Sequence, residues 1–81
     1  MLEKGAIVLS LSGRDKGRLL AVVESGEKSV KVCDGKERPV ERPKLKNIRH
    51  LEPTGKRLGD DKLKTNRALK KALRGFNASD D

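Results

Sequence analysis

Two short apolar runs, separated by a basic turn, constrain the fold of this chain more than any other feature. The runs cover residues 5–10 and 18–24, and both are almost continuously apolar. Short apolar runs bounded by turn residues predict strands with buried side chains. Positive charge and free backbone N–H groups at a tight bend suit a phosphate, so the turn is the first candidate binding site. Its candidate residues are Gly13, Arg14, Lys16, Gly17 and Arg18.

Three further strands are predicted in the first two thirds of the chain. Residues 29–33 alternate between polar and apolar side chains, and Asp34-Gly35 is a hairpin signal. Residues 36–40 return as a short polar strand, which Pro39 confines to a sheet edge because proline lacks an N–H donor. Apolar side chains at every third position of residues 45–51 predict a 3₁₀ turn that leads into a last short strand. Five short strands with short connections are typical of a small β-barrel.

The stretch from residue 5 to residue 24 resembles a KOW motif, the β-turn-β signature of certain ribosomal proteins and transcription elongation factors. In that family a single glycine stands at the position of Gly17, after a basic loop and before alternating apolar residues. The resemblance implies a mainly β fold, namely a small five-stranded SH3-like barrel of the KOW type, and a translation-related role in binding RNA. It continues, in the manner of KOW-type proteins of the large ribosomal subunit, through Arg38, Val40, Lys46, Asn47, Ile48 and Leu51.

The charge balance favours an anionic partner. The 81 residues include 20 Lys and Arg against 12 Asp and Glu, a formal net charge of +8. Such an excess is typical of nucleic-acid binders, although a soluble surface with surplus lysine is the alternative. Because 33% of the residues are hydrophobic and 40% are charged, the core is small and much of the chain is surface, contact face or tail.

The scarcity of aromatic side chains narrows the kind of partner. The chain has one Phe, no Tyr and no Trp. Proteins that bind single strands stack bases on aromatic rings, and readers of proline-rich peptides or of methyl-lysine also need aromatic surfaces. What remains is folded or double-helical RNA, which a protein recognises through phosphates, 2′-hydroxyl groups and shape.

A second cationic stretch begins after the third predicted strand. On a barrel this small, its side chains are expected to lie near the first turn and to form a second wall of one RNA-facing surface. An ordinary charged edge, which discourages pairing between sheets of different molecules, is the alternative. The candidate contacts of this stretch are Lys36, Arg38, Arg42, Lys44 and Lys46.

The chain divides into two predicted parts. Residues 1–53 form the barrel, and residues 54–81 form a basic linker with a C-terminal amphipathic helix or partly disordered tail. Asp60 and Asp61 suit the positively polarised start of a helix that covers part of residues 62–76. Alone in water such a helix is marginal, so it needs packing or a partner to be stable.

The two faces of this helix suggest two roles. Its apolar face would dock on the barrel, and its cationic face would lie along a phosphate backbone; both can hold together. At helical spacing Leu63 lies on the cationic face. Residues 77–81 are expected to fray. The apolar face carries Leu69, Ala72, Leu73 and Phe76. The candidate RNA contacts of the cationic face are Lys64, Arg67, Lys70, Lys71 and Arg74.

No arrangement of residues in the sequence predicts catalysis, so we expect neither an enzyme nor a cofactor. A nucleophile–base pair, a phosphate-binding P-loop and carboxylates paired for acid–base chemistry are all missing. Cys33 and His50 alone do not make a zinc site. The single cysteine favours a reducing cytoplasm, and no apolar run approaches the ~20 residues that cross a bilayer.

These patterns together predict a monomeric, non-catalytic protein that binds structured RNA. The resemblance implies ribosomal RNA as the partner, with contacts to ribosomal proteins. A protein-interaction module that docks on the ribosome or on the transcription machinery is the alternative. The response of binding to salt distinguishes the two, because phosphate contacts release counterions.

Overall fold

The computed structural model describes residues 2–78. This part of the chain contains five strands, two 3₁₀ helices and one α-helix, joined by turns and bends. The 3₁₀ helices span Ile48–His50 and Asp60–Leu63, and α1 spans Asn66–Ala78. The rest of the segment that is expected to fray, residues 79–81, lies outside the described residues. The strands are β1 (Ala6–Ser10), β2 (Leu19–Glu24), β3 (Ser29–Cys33), β4 (Lys44–Asn47) and β5 (Leu51–Arg57).

The strands form a single antiparallel sheet in the order β4-β3-β2-β1-β5. Strands that follow one another pair from β1 to β4, and β5 returns to pair with β1. A mainly β fold of five strands with a C-terminal helix is therefore confirmed. The expected closed barrel is not: within the described residues β4 and β5 do not pair, so the sheet stays open. The 3₁₀ helix between them carries the chain from one sheet edge to the other.

The central strands β1 and β2 are buried on both faces, which explains their almost continuous apolar sequence. Val8 and Leu20 belong to a core cluster on one face of the sheet. Ile7 and Ala21, which pair directly, belong with Cys33 to a second cluster on the opposite face. Because successive side chains of a strand point to opposite faces, a strand covered on both sides needs apolar residues at every position.

The C-terminal segment covers this second face. Leu69 and Leu73 of α1 are buried there, as the helical spacing predicts. Leu63 is buried in the same cluster, so the prediction that it lies among the cations is wrong. It belongs to a separate 3₁₀ helix, and α1 begins anew where the Thr65 Oγ1 accepts a hydrogen bond from the Ala68 N–H (3.1 Å). One helical period therefore does not run through both segments.

The predicted strand over residues 36–40 is also wrong. This segment is a bend that packs against the start of α1, and the fourth strand forms later, as β4. The Asp34 carboxylate accepts two backbone N–H groups of the bend, both at 2.9 Å, and so competes with strand pairing. The Val40 N–H donates to Asn66 Oδ1 of α1 (2.7 Å), which ties the bend to the helix.

The last strand runs further than the sequence predicts. β5 continues past residue 53 to Arg57, and Pro53 pairs in register with Val8. Proline is tolerated here because β5 is an edge strand. The pairing of β1 with β5 is irregular beyond this point, and Gly55, with a φ of 81°, lies in the irregular segment.

Candidate nucleic-acid interface

The basic turn between β1 and β2 is held in shape by its own backbone. The Ser10 N–H donates to the Arg18 carbonyl and the Gly17 N–H to the Ser10 carbonyl, both at 2.9 Å. Gly13 and Gly17 have φ values of 78° and 85°, in the left-handed region that favours glycine. A Cβ on Gly17 would meet nothing within 4 Å, so the backbone conformation rather than a close approach requires glycine there.

Asp15, near the centre of this turn, is buried, with 1% of its surface exposed. Its Oδ2 lies 3.6 Å from Arg38 Nε and 3.5 Å from Lys44 Nζ. A buried carboxylate is costly unless cations compensate it, so these two cations neutralise Asp15 inside the protein. Arg38 and Lys44 thus have a structural role, and their contact with RNA stays a prediction.

Lys46 lies inside the protein rather than on its surface. Its residue is 6% exposed, and its Nζ donates a hydrogen bond to the Ser12 carbonyl at 2.9 Å. A Cβ on Gly13 would lie 3.7 Å from the same Nζ. Lys46 therefore braces the basic turn from β4 and contributes little to the exposed surface.

An open groove of about 520 Å³ lies where the basic turn, the bend after β3 and α1 meet. Its apolar lining comes from Leu19 and Leu73, and Gly17 contributes bare backbone. Each of the three basic segments singled out in the sequence supplies at least one cation to it. The charged residues of the groove are Arg18, Lys36, Lys70, Arg74 and Asp34.

The cations of the C-terminal segment are divided among three surfaces. Lys70 and Arg74 line the groove. Arg67 and Lys71 line a separate depression on the neighbouring flank of α1. Lys64 lies beside a third depression, next to the 3₁₀ helix that precedes α1. Of the five cations predicted for this segment, only Lys70 and Arg74 therefore line the groove.

The other predicted contacts differ in how free they are. Arg14, Lys16 and Arg42 are exposed and form no ion pair within residues 2–78. Arg18 is paired with Glu37, with its NH1 2.9 Å from Glu37 Oε2. Because both of these side chains are exposed, the pair is weak and a phosphate can compete for Arg18.

Cys33, the chain's single cysteine, is buried beneath α1. Burial, with the nearby charges of Asp34 and Glu41, raises the pKa of its thiol to about 11, so the thiol is protonated at neutral pH. Residues 2–78 contain no group of three His, Cys, Asp or Glu side chains placed to hold a metal ion. In the same part of the chain, no helix has the length and apolar character that crossing a membrane requires.

Sequence reasoning missed the structural role of Asp15, and it identified Asp34 only as part of a hairpin signal and not as a residue of the groove. Each is an acid placed within a basic stretch, in the sequences GRDKGR and CDGK. That pattern is a signal for such roles, because an isolated carboxylate among cations either pairs internally or holds a turn. The structure shows Asp15 doing the first and Asp34 the second.

Comparison with known proteins assigns no family to the chain: neither a protein-family model nor a curated protein matches it. The KOW resemblance therefore rests on the motif residues of this chain alone.

Proposed function

We propose that this protein is a non-catalytic binder of structured RNA and that the groove beside α1 is its binding site. The observation that carries the proposal is the convergence of three basic segments, separate in sequence, on one open groove. Cations that face one groove from different elements can each neutralise a phosphate of the same backbone. The four groove cations are Arg18, Lys36, Lys70 and Arg74.

Two exposed cations next to the groove extend its positively charged surface. Arg14 and Lys16 stand exposed on the turn that supplies Arg18. Since Asp15 and Lys46 hold that turn from inside, its backbone loses little conformational freedom on binding.

The single aromatic residue supports recognition without base stacking. Phe76 is half buried against the core cluster beneath α1, and Lys56 Nζ lies 5.8 Å from the centre of its ring. A ring engaged in this way does not serve as a stacking platform, so the proposal is for double-helical or folded RNA. The KOW resemblance extends it to ribosomal RNA in the cytoplasm.

Charge reversal on α1 tests the site. We expect Lys70→Glu/Arg74→Glu to weaken binding to an RNA hairpin with an uninterrupted stem by at least about tenfold in a fluorescence titration, because two phosphate contacts become repulsions. The matched control is Arg67→Glu/Lys71→Glu, which has the same helix, spacing and charge change but lies outside the groove.

The control double variant should lose much less affinity, because neither of its side chains lines the groove, so no phosphate contact there is lost. Equal losses in the two double variants would mean that net charge alone drives binding. An unchanged affinity of Lys70→Glu/Arg74→Glu would remove the groove from the binding site. Circular dichroism of both variants checks that α1 is retained.

A further inference from the structure

The groove holds one carboxylate among its four cations, and phosphate binding does not explain it. Asp34 lines the groove beside Lys36, and it forms no ion pair within residues 2–78. A negative charge at this position repels a phosphate backbone. Asp34 therefore needs a role of its own, either in the fold or toward the ligand.

The fold uses one of the two carboxylate oxygens. Asp34 Oδ1 accepts hydrogen bonds from the backbone N–H groups of Lys36 and Arg38, each at 2.9 Å, and these bonds shape the bend after β3. Among the described residues, Oδ2 receives no hydrogen bond. An asparagine would supply the same Oδ1, so the bend accounts for one oxygen and leaves the charge and Oδ2 unexplained.

We propose that Asp34 Oδ2 accepts a hydrogen bond from a ribose 2′-hydroxyl group and thereby makes the groove selective for RNA over DNA. The inference rests on the proposed RNA-binding function. An ionised carboxylate only accepts hydrogen bonds, and the 2′-hydroxyl is the donor by which a protein distinguishes the two nucleic acids.

The rest of the groove suits this assignment. Cations on either side, from the bend and from α1, are available to the flanking phosphates. Leu19, which is partly exposed, adds apolar surface against which the carbon atoms of the ribose can pack. A ribose held between phosphate contacts in the groove presents its 2′-hydroxyl group to an acceptor on the groove wall. Asp34 is the carboxylate that lines this wall.

The test compares an RNA hairpin with the same hairpin carrying 2′-fluoro groups in its stem, which retains the A-form shape but has no 2′ donor. We expect the wild-type protein to bind the hydroxyl form about tenfold more tightly, the size of one hydrogen bond to a charged group. Asp34→Asn keeps the oxygen that holds the bend and replaces the free acceptor by an N–H₂ donor. It should bring the affinity ratio close to one.

The matched control is Glu37→Gln, which removes the same charge nearby but does not line the groove. It should change both affinities together and leave their ratio at the wild-type value. A wild-type protein that binds both hairpins equally, or an Asp34→Asn variant that keeps the wild-type ratio, overturns the role of Asp34. The wild-type comparison requires no variant to fold. Failure of the wild-type protein to bind either hairpin would instead overturn the proposed function.

Discussion

At the scale of single residues, Asp15 organises the basic turn. It is buried, yet two cations from a later segment lie within 3.6 Å of its Oδ2, and both keep about a third of their side chains exposed. The turn between β1 and β2 is thereby joined to the bend and to β4. Arg38 and Lys44, which the sequence predicts to be surface contacts for RNA, therefore form ion pairs inside the protein.

Removing this charge tests the arrangement. We expect Asp15→Asn to lower the free energy of unfolding by about 1–3 kcal/mol, because Arg38 and Lys44 lose the charge that compensates them and repel each other. Urea unfolding monitored by circular dichroism measures the change.

Asp61→Asn is the control for this prediction. Asp61 is an exposed acid whose Oδ2 lies 4.0 Å from Lys62 Nζ. Its loss should change stability by less than about 0.5 kcal/mol. If Asp15→Asn were as stable as the wild type, the ion pairs around Asp15 would contribute nothing and Arg38 and Lys44 would again be candidates for RNA contact.

Which cations reach the surface could not be predicted from the sequence. Lys36 and Lys46 are both lysines in polar surroundings, yet one lines the groove and the other is buried against the Ser12 carbonyl. Strand register and the packing of the turn decide the difference, and both depend on residues far away in sequence.

At the scale of elements, the bend after β3 and α1 fit together at Gly35. Gly35 has a φ of 81°. A Cβ on it would collide with the Asn66 carbonyl oxygen and lie 3.0 Å from the backbone nitrogen of Lys70. The close approach brings the bend and the helix to opposite sides of the groove. Asn66 reinforces the contact by hydrogen bonds to Val40 and to Glu41.

A side chain at this contact should separate the two elements. We expect Gly35→Ala to destabilise the protein by more than about 2 kcal/mol, because the left-handed conformation and the collision both oppose a methyl group. Thermal unfolding by calorimetry measures it, and a melting temperature equal to that of the wild type would contradict the packing of the bend on α1.

Gly75 provides the matched glycine-to-alanine control. It lies within α1, and a Cβ there would meet nothing within 4 Å. Gly75→Ala should therefore stabilise the protein by about 0.5–1 kcal/mol through helix propensity alone. If Gly35→Ala lowers the free energy of unfolding and Gly75→Ala raises it, the effect of the contact at Gly35 is distinguished from that of replacing glycine by alanine.

At the scale of the whole molecule, the distribution of charge sets the expected behaviour in salt. If the four groove cations each neutralise one phosphate, affinity for the RNA hairpin should fall by roughly a hundredfold between 50 and 200 mM salt. Titrations at several salt concentrations give the slope directly.

The alternative, a protein-interaction module, would be favoured by a different outcome. In that case the protein would retain no RNA and would form a complex with another protein whose affinity does not depend on salt. The charge-reversed Lys70→Glu/Arg74→Glu variant should show a shallower salt slope than the wild type, whereas Arg67→Glu/Lys71→Glu should keep the wild-type slope. This comparison links the bulk measurement to the groove rather than to the net charge of +8.

The sequence by itself determined the mainly β fold, the basic turn, the first three strands and the helix that follows. These features depend on local spacing, on turn chemistry and on apolar runs, which are read along the chain. Only the tertiary structure decided that α1 covers one face of an open sheet, that β4 replaces the strand expected over residues 36–40, and that three basic segments share one groove. Such outcomes depend on packing and hydrogen bonds between residues distant in sequence, as between Val40 and Asn66, and no local pattern encodes them.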